Sequence, residues 1–152
     1  MNQTPEELIS RLALTPHPEN GAFAERHYPH SGLERAASGA IYYYVAPDEK
    51  TEFHRIDCDE YWCYAAGETL DVWVIDPNGC LTVTRLGITP DAEPILYVKK
   101  GDTFASRHRD PVTEGTFLSC ITVPRFTYDG FEMFTEAEAR EKFPACAPFF
   151  DA

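Results

Sequence analysis

The chain has 152 residues, 43% of them hydrophobic, which is a globular composition with enough apolar material for one buried core. Its 25 acidic residues against 13 basic ones leave a formal charge of -12, so nucleic acid and anionic membrane are excluded as natural partners. No apolar run approaches the roughly 18 residues of a membrane span, and the start MNQTPEELIS carries neither the basic nor the apolar stretch of a secretory leader. Five cysteines at positions 58, 63, 80, 120 and 146, odd in number and without paired close spacings, suit reduced thiols in the cytoplasm. Cys58 and Cys63 alone are a weak zinc signal.

In chain order, Thr4-Pro5-Glu6-Glu7 opens a helix: Thr4 caps it, Pro5 suits the first turn and Glu7 completes a capping box. Leu8, Ile9 and Leu12 form its apolar stripe, and Thr15-Pro16 stops it. His17 and Glu19 follow in a Pro-rich loop that could cover a barrel mouth, and His27 and His30 fall in a polar, solvated stretch. Strands are expected over residues 40–46, 51–56, 61–65, 70–75, 80–86, 95–98 and 117–123, each bounded by turn residues. Asp76-Pro77-Asn78-Gly79 marks a hairpin. Thr135 and Glu138 repeat the capping grammar for a second helix that ends near Phe143, before Pro144. Many short strands without a long helical period indicate an antiparallel sandwich or barrel, and the absence of a repeat or linker indicates one domain over residues 1–152.

The chemistry concentrates in residues 52–67. Side chains alternate across a strand, so His54 and Ile56 share one face, and Glu60, Trp62 and Tyr64 share a face on the next strand. If both faces point inward, an imidazole and a carboxyl meet among aromatic walls and shift each other's pKa, which suits acid–base work or metal binding. Arg55 then points outward, towards a salt bridge or a partner, and Asp59 either assists the catalytic pair or shapes the turn. Of Tyr42, Tyr43 and Tyr44, at least one phenol faces inward, with the parity open and Tyr42 taken as the candidate. The cluster Arg107-His108-Arg109 can receive an anionic group of a ligand.

His54, Glu60 and Gly67 match the first cupin motif, but Ile56 stands where a second His belongs, and Phe104 replaces the His that follows Gly101 in the second motif. Two of the four usual metal ligands are therefore missing, and neither a metal nor another cofactor is expected. The chain more closely resembles an uncharacterised cupin family with the RmlC-like jelly-roll fold, whose PHPEGG opening is matched by Pro16-His17-Pro18-Glu19-Asn20-Gly21. Ile41-Tyr42, the run HRIDCDEYW from His54 to Trp62, and Cys120 to Phe126 carry the rest, so the resemblance spans roughly residues 8–133. Asn20 and Arg125 replace glycines of that family, and Phe104 replaces a Trp. The resemblance implies an all-β, antiparallel jelly-roll (cupin) barrel from about residue 22 to about 134, flanked by short helices, and a homodimer.

These readings converge on a pocket for a small polar metabolite, a sugar or nucleotide sugar. His54, Glu60 and Asp59 are its catalytic candidates; Trp62, Tyr64, Phe104, His17, Glu19, Tyr42, Arg107 and His108 are its ligand-binding candidates. As an epimerase or isomerase, His54 takes a proton beside a carbonyl, Glu60 or Asp59 orients it, and a tyrosine returns the proton. A non-catalytic sensor could use the same pocket. So could a metal-dependent cupin that recruits another ligand, such as His108.

Overall fold

The computed structural model describes residues 2–28, 32 and 34–151. His30 and the side chain of His27 lie outside that description. Helix α1 (Pro5–Leu12) begins at the capping box read from the sequence: Thr4 Oγ1 accepts from Glu7 N at 3.2 Å, and Glu7 Oε2 accepts from Thr4 N at 2.8 Å. Among the described residues eleven strands follow: β1 (Thr15–Pro16), β2 (Ala22–His27), β3 (Gly39–Val45), β4 (His54–Arg55), β5 (Asp59–Gly67), β6 (Leu70–Ile75), β7 (Leu81–Leu86), β8 (Ile95–Val98), β9 (Thr103–Arg107), β10 (Thr116–Val123) and β11 (Glu132–Met133). The chain closes with α2 (Glu136–Lys142), capped by the Thr135–Glu138 box, and α3 (Ala147–Asp151).

The strands form two antiparallel sheets, ordered β1-β2-β3-β10-β5-β8 and β11-β4-β9-β6-β7, facing each other as a jelly-roll. The inner core takes Leu70 and Val72 from β6, Phe104 from β9, and Trp62, Leu118 and Cys120 from the opposite sheet. Trp73 and Ile75 of β6 point the other way, into a second core with Phe53, Phe134 and Phe149, roofed by α2 and α3. The inner strands β6 and β9 of the smaller sheet are therefore buried on both faces, which is why β6 reads as a nearly unbroken apolar run. Asp71, the polar residue in that run, is buried and paired with Arg85 at 3.2 Å and Arg109 at 2.9 Å. The hairpin at residues 76–79 joins β6 to β7, with Gly79 at φ 85°.

The segment expected as a strand over residues 51–56 pairs only at His54–Arg55. Its other backbone groups bond to scattered partners: Thr51 N to Ser106 O, Glu52 N to Glu19 O, and Phe53 O to Phe134 N. Strands β1, β2, β9 and β11 and helix α3 extend the expected set. β9 is buried on both faces and so shows no alternation, and α3 is too short for a helical period. All five cysteines are free. No helix among the described residues is long and apolar enough to cross a membrane.

Candidate active site in the barrel

The candidate site begins in the loop between β1 and β2. Asn20 and Gly21 both take positive φ, 76° and 75°, and the loop closes on itself through His17 N to Gly21 O at 2.9 Å. Asn20 thus takes a positive φ, which asparagine tolerates better than most residues. Gly21 admits no side chain, because a Cβ there would lie 2.6 Å from Tyr44 O. The loop is pinned by Glu52 N to Glu19 O at 2.9 Å, Asn20 Nδ2 to Lys50 O at 3.0 Å and Tyr43 Oη to Asn20 O at 2.8 Å. These bonds turn the Glu19 carboxyl inward.

Glu19 Oε2 lies 2.8 Å from His54 Nε2, and both side chains are buried. His54 Nδ1 faces Glu52 O at 2.9 Å, and a carbonyl can only accept. Nδ1 therefore donates to that carbonyl, and Nε2 stands against the Glu19 carboxylate. Burial opposes a charge on the ring, but the Glu19 carboxylate outweighs it and raises the His54 pKa above 6.5. Burial likewise pushes Glu19 up, but the His54 charge and hydrogen bond hold its carboxyl below the ordinary 4.5. His17 Nδ1 accepts from Glu19 N at 3.2 Å, and burial lowers its pKa, so His17 is neutral with its proton on Nε2.

Glu60 stands apart from this ion pair. Burial pushes its carboxyl up to about 7, with His54 countering and Glu19 adding to the rise. The Cys120 thiol and the Trp62 indole N–H favour its ionised form. Yet Trp62 Nε1 reaches no partner in good hydrogen-bonding geometry, although it is buried. Glu60 has no ion pair among the described residues, so one carboxyl in the barrel is poised to titrate at neutral pH.

These groups line a cavity of about 430 Å3 walled by Tyr43, Trp62, Phe23, Phe126, Tyr128 and Phe131. That size accommodates a small metabolite. The inward parity expected for His54, Ile56, Glu60 and Trp62 holds, and His17 and Glu19 join them. Phe104 packs behind the site, its ring 4.1 Å from that of His54. Arg55 points outward and pairs with Glu132.

Five expected site residues lie elsewhere. Asp59 accepts from Tyr97 Oη at 3.1 Å and Lys100 N at 2.8 Å on the far side of the strand, because parity sends it opposite to Glu60. Tyr64 shares the face of Trp62 but sits beyond the cavity and bonds to Gly67 O at 2.5 Å. Tyr42 packs against Phe117 and Arg26, since Tyr43 holds the inward parity. Arg107 and His108 line a separate depression at the end of β9.

Glu19 as the partner of His54, and the aromatic loop from Phe126 to Phe131, were not foreseen in these roles. Three aromatics within FTYDGF were the available signal for the loop. The usual metal of this architecture does not fit these residues. Ile56 and Phe104 offer no donor atoms, His54 has spent both nitrogens, and His108 lies outside the cavity. Among the described residues, no group of three His, Cys, Asp or Glu side chains is placed to hold a metal ion.

Two facing antiparallel sheets in jelly-roll order, enclosing the pocket between them, are the architecture of the cupins. Residues 6–134 match the family described as Cupin superfamily (DUF985), and the chain belongs to that family. A crystal structure of a Shewanella oneidensis protein superposes with a TM-score of 0.90 at 27% identity, covering 99% of this chain and 96% of that one. A hypothetical protein from Leishmania major does so at 0.82 and 30% identity, over 94% of each chain. Oxalate decarboxylase of Bacillus subtilis shares the fold at 0.63 and 15% identity, over 89% of this chain and 34% of that one. No curated protein sequence matches the chain.

Proposed function

We propose that this cupin binds a small carbohydrate derivative in the barrel and isomerises it by moving a proton with Glu60. The observation that carries the reading is a buried carboxyl with a pKa of about 7, facing an aromatic-walled cavity beside a fixed Glu19–His54 pair. A carboxylate of that basicity abstracts a proton next to a carbonyl far better than an ordinary one. The unpartnered Trp62 N–H then donates to the oxygen on which charge develops. Aromatic walls suit the C–H face of a sugar ring. His54 is a poor base, because Nδ1 donates to Glu52 O and Nε2 is taken up by the Glu19 carboxylate. Its role is to hold Glu19 ionised and to set the local field.

Glu60 acting alone favours isomerisation, in which it returns the proton to the neighbouring carbon while the hydroxyl proton passes between the two substrate oxygens, over epimerisation, which needs an acid on the opposite face. The inward phenol, Tyr43, is committed to Asn20 O and is a poor candidate for that acid. The same scarcity of proton carriers favours, as a second reading, a non-catalytic binding protein.

The test is a thermal-shift screen with aldoses, ketoses and their derivatives, followed by incubation of stabilising compounds in D2O. Deuterium entering the ligand beside its carbonyl, lost in Glu60→Gln while stabilisation persists, is the expected result. Stabilisation without exchange would establish the binding protein instead. Failure of every carbohydrate to stabilise the fold would overturn both.

A further inference from the structure

The barrel cavity carries a second ion pair, set at its mouth. Arg125 and Glu25 both line the cavity, and their side chains are 32% and 34% exposed, whereas Glu19, His54 and Glu60 are buried deep within it. Parity along β2 sends Glu25 inward together with Phe23. The guanidinium meets the carboxylate as a fork: Nη2 donates to Oε1 at 2.5 Å and Nε to Oε2 at 3.2 Å.

Arg125 is held against that partner from several sides. Its backbone N donates to Ala36 O at 3.0 Å, and its carbonyl accepts from Arg35 Nε at 2.7 Å. Arg35 is anchored in turn on Asp57 at 2.8 Å. Arg125 Cζ lies 3.7 Å from the centre of the Tyr28 ring, and its stem runs so close to Gly39 that a Cβ there would meet Arg125 Cγ at 2.9 Å. A cation both stacked on a ring and forked on a carboxylate is fixed in position.

The charges around the cavity are thereby answered from within. Glu19 faces His54, and Glu25 faces Arg125. Glu60 is the remaining carboxyl, and among the described residues no unpaired cation lines the cavity. An anionic substituent entering here finds no free counter-charge to replace the water it gives up, and it meets Glu25 at the rim and Glu60 inside. A like charge also disfavours a carboxylate, so the anion would hold Glu60 protonated and disable it as a base. What the cavity offers instead is aromatic rings and one orphaned donor, Trp62 Nε1, which a neutral hydroxyl or carbonyl oxygen satisfies. Its volume of about 430 Å3 lies near the small end of the roughly 300–1,000 Å3 typical of metabolite sites.

We propose that the barrel selects an uncharged, unphosphorylated monosaccharide, and that Glu25 sets this selection by occupying Arg125. The selection rests on the carbohydrate reading of the barrel and narrows it. Sugar phosphates and nucleotide sugars are rejected, because the cation at the mouth that could receive their phosphates is already taken.

Calorimetric titration of the full chain with pentoses and hexoses, each beside its own terminal phosphate ester at constant ionic strength, tests the selection. A free sugar that binds should do so about tenfold or more tightly than its ester. In Glu25→Gln the freed guanidinium should take the phosphate, and the ester should gain about tenfold on the free sugar; adding Arg125→Gln should cancel that gain. Melting curves show whether both variants are folded, and the wild-type comparison stands without them. An ester that binds the wild type as well as its free sugar overturns the charge selection and leaves the carbohydrate reading intact. A preference unchanged in folded Glu25→Gln overturns the role of Glu25. Binding of neither sugars nor esters removes the carbohydrate reading, and the selection with it.

Discussion

Replacing Glu60 by Gln should make the protein more stable at neutral and alkaline pH, and the size follows from the site. The carboxyl titrates near 4.5 in an unfolded chain and at about 7 in the folded one. The folded state therefore binds the proton more tightly, so stability contributed by this group is full below 4.5 and lost as pH rises through about 7. The complete loss is about 3 kcal/mol, because each pH unit between the two values is worth about 1.4 kcal/mol. Gln has the shape of protonated Glu, creates no cavity and does not ionise. Urea unfolding of both proteins, measured from about pH 5 to about pH 8.5, should give curves that diverge by most of that amount and then run parallel. For a chain of this size the gap corresponds to roughly 6–12 °C in Tm at the alkaline end. Parallel curves across the whole range would mean that Glu60 ionises normally, and the assignment of a neutral-pH acid–base group would fall with it.

Glu19→Gln leaves the His54 imidazolium buried without its counter-charge, and a loss of about 3 kcal/mol is expected. The Glu19 contribution is present above 4.5 and lost as pH falls through its folded value, whereas that of His54 is present below 6.5 and lost as pH rises through its own. The deficit should thus be largest between these limits, and 15N spectra should show His54 deprotonating at lower pH than in the wild type. Phe53→Ala opens the second core against Phe149, whose ring centre is 4.8 Å away, and should destabilise by about 3–5 kcal/mol in urea while the barrel cavity persists. Thr135→Ala removes one half of the α2 capping box and should cost about 1 kcal/mol in the same assay; no change would mean the box is not formed in solution.

Much of the fold was legible in the chain itself because its signals are local. The capping boxes at Thr4 and Thr135, the turn at Asp76–Gly79 and the strand at Leu70–Ile75 each depend on residues a few positions apart. Parity along a single strand likewise placed His54 and Ile56, or Glu60 and Trp62, on one face, and put Arg55 outside. The same rule, applied to Asp59, would have excluded it: adjacent residues of a strand cannot both face the barrel.

What only the tertiary structure decided is which residue meets which across large separations. The partner of His54 is Glu19, on a loop turned inward by Asn20 and Gly21 and tied to Glu52, and no spacing in the chain announces that contact. The inward tyrosine is Tyr43 because β2 and β10 fix the register of β3 from either side. Arg107 and His108 lie outside the cavity because they stand at the C-terminal end of β9, the end opposite Phe104 and His54, where C-terminal aromatics receive the guanidinium. Nor could the chain by itself reveal that Glu60 titrates near neutrality. A carboxyl's pKa depends on how much water surrounds it and which charges face it, and both are properties of the assembled barrel.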